Sequence, residues 1–249
     1  MAIRIYILKN ISSIGYKISP VGCNVRATTL RTLILEKYIE KIILHIRSIV
    51  SMFDEVCYSK KKLETLDISL IASASRNIME TVNMYCYFSE RKMTFDEIEF
   101  RYYVTFLNGD RNKRSILDKL GIELPDSFAS HIHKTSKFQY IQVLERNPYF
   151  HKLSNKEKEL IFSGKNSTHK ISSPNILPKK LESGIYNLLS NSVHSLTVGM
   201  NSVSFEDVHI FRGLFKPQCV LEISIEVCIL YASHVFLDYL DIRKRLYRN

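Results

Sequence analysis

Apolar residues recur at three- and four-residue steps along most of the chain. After Thr28 or Thr29 the step is held by Leu30, Leu33, Ile34, Tyr38, Ile42, Ile46, Ile49, Val50 and Phe53. That spacing lines one face of an α-helix, and the threonine supplies its N-cap. Asp67 opens a second helix to about Phe88, with Ile68, Ile71, Ala72, Ser75, Ile78, Met79, Val82 and Cys86 turned inward. Ala72, Ala74 and Ser75 are small enough to let another helix approach closely. Thr94-Phe-Asp-Glu97 and Ser154-Asn-Lys-Glu157 both fit a capping box. The first opens a helix through Phe100, Val104 and Leu107 that the pattern ends at Asn108-Gly109, followed by a short helix from Ser115 to Leu120 that stops at Gly121. Pro125-Asp126 begins another, ending at Arg146 before Asn147-Pro148. The second box opens a short helix ending at Gly164. Pro178 starts a helix through Leu181, Ile185, Leu188 and Ser192, and Pro217 precedes the last long one, 218–246.

The remaining stretches break this period. Residues 3–8 alternate and read as a weak strand, and 9–27, with Gly15, Pro20 and Gly22, read as irregular. Residues 164–177 are polar and aperiodic, and 195–217 are irregular with a short strand near Val208 to Phe211. The expected fold is all-α, a multi-helix bundle-like single domain with an irregular N-terminal arm. Its parts are the arm, 1–27, and a helical domain, 28–249, interrupted by the loop 164–177.

Composition narrows the function classes. The 249 residues are 45% hydrophobic, enough for a sizeable core. Thirty-five Lys and Arg against 25 Asp and Glu give a net charge of +10, which favours acidic partners, RNA or other nucleic acid among them. The five cysteines are odd in number and contain no C-x-x-C, which argues against zinc and thioredoxin chemistry and suits a reducing cytoplasm. The apolar run in Met1 to Leu8 is short for a signal peptide. The most apolar segment, Cys219 to Leu240, carries Glu222, Glu226, His234 and Asp238, so it reads as a buried helix and no membrane partner is expected. The phosphate-binding, dinucleotide, zinc-protease and nucleophile-elbow motifs do not occur, so no cofactor and no metal is expected.

One polar constellation stands out. Glu222 and Glu226 fall, one turn apart, within an apolar arc of the last helix drawn through Leu221, Ile225, Cys228, Ile229, Ala232, Val235, Phe236, Leu237 and Leu240. Buried carboxylates need donors. Arg76, Glu80, Asn83 and Tyr87 form a stripe on the second helix, and Tyr186, Ser190 and His194 one on helix 178–194. The expectation is that Arg76, Glu80, Ser190, His194, Glu222 and Glu226 meet in the bundle, with Arg76→Ala costing about 3 kcal/mol or more. Two readings follow. The cluster is a satisfied network that sets helix register, or it is a pocket. In the pocket reading His194, Arg76 and Glu80 are catalytic candidates, and Tyr186, Ser190, Glu222 and Glu226 bind ligand.

Arg146-Asn147-Pro148-Tyr149-Phe150-His151 resembles the Arg-Asn-x-x-x-His signature of the HEPN superfamily, all-α proteins that include metal-independent ribonucleases of toxin and antiviral systems. The resemblance implies Arg146 and His151 as alternative catalytic residues facing an RNA phosphate. Pro148 departs from the helical turn on which that signature sits. Segments 72–85 and 186–195, with Arg-x-x-x-Glu and Tyr-x-x-Leu-Ser-x-x-x-His patterns, are similar to a bacterial family of uncharacterised helical proteins, distantly HEPN-like. That likeness implies Arg76, Glu80, Tyr186, Ser190 and His194 as its polar set. Leu189 and Ser190 stand where the HEPN Arg would precede His194.

The sequence therefore points to a cytoplasmic helical protein of a bacterial defence or regulatory system. It would act through contacts with a partner protein or nucleic acid, with homodimer formation a further expectation. The alternative is a HEPN-like ribonuclease or toxin. A third reading is a small-molecule sensor.

Overall fold

The computed structural model describes residues 1–19, 29–58, 66–121, 138–163, 176–193 and 217–246, and among these the secondary structure is helical with no strand. In chain order the helices are α1 (Ala2–Ile18), α2 (Leu30–Tyr58), α3 (Ile68–Ser89), α4 (Phe95–Lys119), α5 (138–146), α6 (Pro148–His151), α7 (Asn155–Phe162), α8 (Lys179–Val193) and α9 (Pro217–Leu246). The all-α, multi-helix expectation holds. Residues 20–28, 164–175 and 194–216 lie outside the described set, and with them most of the expected loop, the strand near Val208 and His194.

The chain forms two compact units. Met1–Ser89 with Ser172–Asn249 make one, and Glu90–Ile171 make the other. In the first, α3 packs against α2, α8 and α9, and α1 lies on α2 and α9. The capping residues act as their types predict. Thr29 Oγ1 accepts from Thr32 N at 3.2 Å, and Asp67 Oδ1 accepts from Ser69 N and Leu70 N at 2.9 and 3.1 Å. The core between them is largely aliphatic, with Leu35, Ile39, Ile42, Ile46 and Ile49 of α2 fully buried. The small face of α3 does admit another helix closely: Ser75 Oγ lies 3.1 Å from Cys228 Sγ of α9.

The N-terminal segment overturns the expected strand and irregular arm. Residues 2–18 are one helix. The Ile-Arg-Ile-Tyr-Ile alternation imitates a strand over five residues, but Leu8 and Gly15 lie two turns apart on the inward face, which only a helix produces. Gly15 lets α1 settle onto the bundle. A Cβ there would sit 2.5 Å from the Phe236 ring and 3.0 Å from Ile43.

In the second unit α4 carries Phe100, Val104 and Leu107 into a core with Leu144, Phe150 and Ile161. The expected break at Asn108-Gly109 is absent, and α4 runs unbroken to Lys119. A helical glycine costs about 1 kcal/mol. Burial of Val104 and Leu107 just before it, and a 3.2 Å bond from Asn112 to the Asn108 side chain after it, carry the helix through. The turn comes at Gly121, whose φ of 62° is left-handed. Ser154 and Glu157 form the expected capping box on α7. Thr94 Oγ1 accepts from Glu97 N at 3.2 Å, while Glu97 turns its carboxylate to Arg101.

Gly15→Ala therefore works against helix propensity. Alanine favours the helix by about 1 kcal/mol, but the overlap with Phe236 forces a shift costing about 1–3 kcal/mol. A net loss of stability in urea denaturation is expected, and a more stable variant would contradict the close approach.

Candidate functional site

Arg76 and Glu80 lie one turn apart on α3, and Tyr186 and Ser190 one turn apart on α8. The α3–α8 contact brings all four together. Arg76 Nε donates to Glu80 Oε1 at 3.0 Å, and the Tyr186 hydroxyl donates to the same oxygen at 2.8 Å. Arg76 Nη1 reaches Ser190 Oγ at 3.4 Å, and its guanidinium stands over the Tyr186 ring, 5.5 Å from the centroid. One carboxylate oxygen thus holds a cation and a phenol from two helices. The bond to Glu80 is the largest influence on both donors. It raises the pKa of the Arg76 guanidinium and that of the Tyr186 phenol. Tyr186 is therefore kept protonated, as a donor and not a base. The side chains of Arg76 and Glu80 are 28% and 45% exposed, so the cluster sits at the rim of the bundle.

Glu222 and Glu226 are not part of it, which corrects the expected six-residue cluster. Both face Arg4 of α1. Arg4 Nε bonds Glu226 Oε1, and Arg4 Nη1 stands 4.0 Å from Glu222 Oε2. Glu226 is exposed and Glu222 half-buried. The arc drawn from sequence was rotated. Leu237, counted as inward, is 69% exposed, while Ser224, Val227, Tyr231 and Tyr239, which were not counted, are buried. α9 carries apolar residues on its solvent side as well, so hydrophobicity alone does not locate its buried centre. Gln218–Lys244 is long and apolar enough to cross a membrane by length and composition, with 56% of its most apolar stretch buried in the bundle.

Several acids that matter to the bundle were missed. The Tyr231 hydroxyl donates to Glu182 Oε1, that of Tyr85 to Asp238 Oδ2 at 3.0 Å, and that of Tyr239 to buried Glu36 Oε1 at 3.1 Å. Cys86 lies among them. Burial and then the Asp238 and Glu182 carboxylates push its thiol up to about 12. Cys228 is likewise pushed up to about 12, by burial. Both thiols stay protonated, which makes them packing groups and not nucleophiles. The available signal was helical spacing, since Glu182 lies one turn before Tyr186 and continues the Tyr186–Ser190 stripe. Among the described residues no group of three His, Cys, Asp or Glu side chains could hold a metal.

The HEPN-like segment is arranged around its asparagine. Asn147 caps α6: its Oδ1 accepts from Tyr149 N at 2.9 Å. Its Nδ2 donates to Asp96 O at 2.8 Å and Glu99 Oε2 at 3.2 Å, pinning α6 to the start of α4. Pro148 takes the first helical position, where its missing N–H is harmless. Arg146 and His151 are exposed on either side.

Because Glu80 is half solvated, Arg76→Ala is expected to cost about 1 kcal/mol in urea denaturation, replacing the larger loss expected had it held buried acids. A loss of about 3 kcal/mol would contradict the pairing described. His45 of α2 sets a pH dependence. Burial, then Lys41, lowers its pKa below the ordinary 6.5. The unfolded chain then binds the proton more readily, so this part of stability is present above about pH 6.5 and is lost as pH falls below it. His45→Gln should flatten the stability profile on the acid side of 6.5, and an unchanged slope would count against it.

No protein-family model matches the chain, and neither a curated protein nor a solved structure matches it.

Proposed function

We propose that this chain works by binding, as a helical protein whose basic exterior engages RNA or DNA. What carries the reading is how the charges are distributed. Inside the first unit, Arg76 meets Glu80, and Tyr85, Tyr231 and Tyr239 meet Asp238, Glu182 and Glu36. Those groups are engaged in holding helices together. These engaged groups hold four acids to one cation, so the excess of cations behind the net charge of +10 lies among the other residues, with Lys37, Arg111, Lys113, Arg146, Lys152 and Lys156 among the exposed ones. Phosphate backbones answer such a surface by counterion release, so affinity falls steeply with salt.

A ribonuclease is the second reading, favoured by the exposure of Arg146 and His151 on either side of the Asn147 turn. A guanidinium can hold a phosphate there while an imidazole moves a proton. In this reading Asn147 positions the turn. His194, Arg76 and Glu80 form the other candidate set.

Fluorescence anisotropy with labelled single-stranded RNA and duplex DNA over a salt series tests the first reading. The expected result is binding whose log affinity declines linearly with log salt, unchanged in Arg76→Ala. No binding at low salt would end it. Gel analysis of the same RNA separates the second. Cleavage by the parent that is lost in His151→Ala or His194→Ala supports a ribonuclease, and intact RNA throughout removes it.

A further inference from the structure

The inward face of α1 is accounted for by Leu8, Gly15 and the Arg4 contacts. Its outward face is not. Ile3, Tyr6, Ile7 and Ile14 are 77%, 67%, 39% and 50% exposed, and Asn10 and Lys17 share that face. At 3.6 residues per turn these positions form one stripe. Four large apolar side chains on one face of a surface helix, with Asn10 between Ile7 and Ile14, mark a contact face.

We propose that this stripe pairs with the same stripe of a second copy of the chain, antiparallel, about a two-fold axis at Asn10. The stripe is balanced around that residue. Ile3 and Lys17 stand seven positions to either side, and Tyr6 and Ile14 four. An antiparallel pair then sets Tyr6 against the second copy's Ile14, and Ile7 against its Ser13. Asn10 meets its own copy, and a carboxamide carries both donor and acceptor, so each answers the other. A closed two-fold contact of one patch with itself is the commonest way soluble chains associate.

Charge selects this occupant. α1 holds Arg4, Lys9 and Lys17 and no acidic residue. Arg4 meets Glu226 and Glu222 on α9, and Lys9 meets Asp54 on α2. The antiparallel register carries the second copy's Lys17 to Ile3, next to Arg4 and therefore to Glu226. That carboxylate is 54% exposed and is held by Arg4 through Oε1. Each copy thus supplies the anion that the other's Lys17 needs. An anionic lipid surface or a nucleic acid would bring a second anion against exposed Glu226, whereas the second copy's Lys17 brings a cation.

Light scattering of the full chain over a concentration series, with circular dichroism as the folding control, tests the proposal. The parent should shift from monomer to dimer. Ile14→Glu, at an exposed position, should keep its helicity and raise the dimer dissociation constant about tenfold or more. Under mild oxidation by glutathione disulfide, Asn10→Cys should form a covalent dimer, and Ser13→Cys, off the axis, should not. A parent that stays monomeric throughout overturns the proposal. So does a dimer indifferent to Ile14→Glu, cross-linking at 13 but not at 10, or a monomer that sediments with phosphatidylserine vesicles.

Discussion

The first unit has to place several carboxylates among packed helices, and it does so by setting a tyrosine hydroxyl from another helix against each. Tyr186 serves Glu80, Tyr231 serves Glu182, Tyr85 serves Asp238 and Tyr239 serves Glu36. The pairs link α3 to α8, α8 to α9, α3 to α9 and α2 to α9. A carboxylate deprived of water is costly unless hydrogen-bonded, so the pair at buried Glu36 penalises a slip of α9 past α2 most, the part-buried Glu182 and Asp238 pairs less, and that at half-solvated Glu80 least. A phenol suits this role because its ring packs as a hydrophobe while its hydroxyl supplies one directed donor. Aliphatic residues hold the α2–α3 seam together, and the phenol–acid pairs give α8 and α9 their register.

Of the four phenol–acid pairs only Tyr186–Glu80 was legible in the sequence, but the helices that carry them mostly were. The caps at Thr29, Asp67 and Ser154 and the small face around Ser75 follow from spacing, because each depends on neighbours within one or two turns of a helix; the same spacing shows the Arg76–Glu80 and Tyr186–Ser190 stripes, which the α3–α8 contact joins. What failed depended on the surroundings of a segment. Ile3 to Ile7 alternates over too few residues to separate strand from helix, and only Leu8 and Gly15 in contact with α2 and α9 decide it. The orientation of α9 was legible only in part, for the opposite reason: Leu221, Ile225, Cys228, Ala232, Val235 and Phe236 are buried as expected, but the centre of the arc is displaced. Leu230 and Leu237 face water, so its apolar arc is too wide to locate a centre. The partner of Glu226 was hidden because Arg4 lies 222 positions away, in a segment read as strand.

The second unit shows how a short pattern can be absorbed by structure. Within Arg146 to His151, the asparagine is engaged in capping one helix and pinning another, and the proline is tolerated because it comes first in a helix. Arg101 nearby is a buried cation, 8% exposed, held between Glu90 and Glu97. Polar residues of functional type here, Asn147 and Arg101, carry local folding tasks.

The phenol–acid pairs also give the bundle an alkaline limit. Burial first, and then the neighbouring carboxylates, hold the Tyr85 phenol far above its ordinary value, and burial followed by Glu182 does the same for Tyr231. Burial alone pushes Tyr38 up to about 12. In the unfolded chain these phenols ionise near 10, so their stabilising effect is complete below that pH and drains away above it. Base therefore works against the contacts among α2, α3, α8 and α9, because a tyrosinate at any one pair would place two anions where a single shared proton had kept two helices joined.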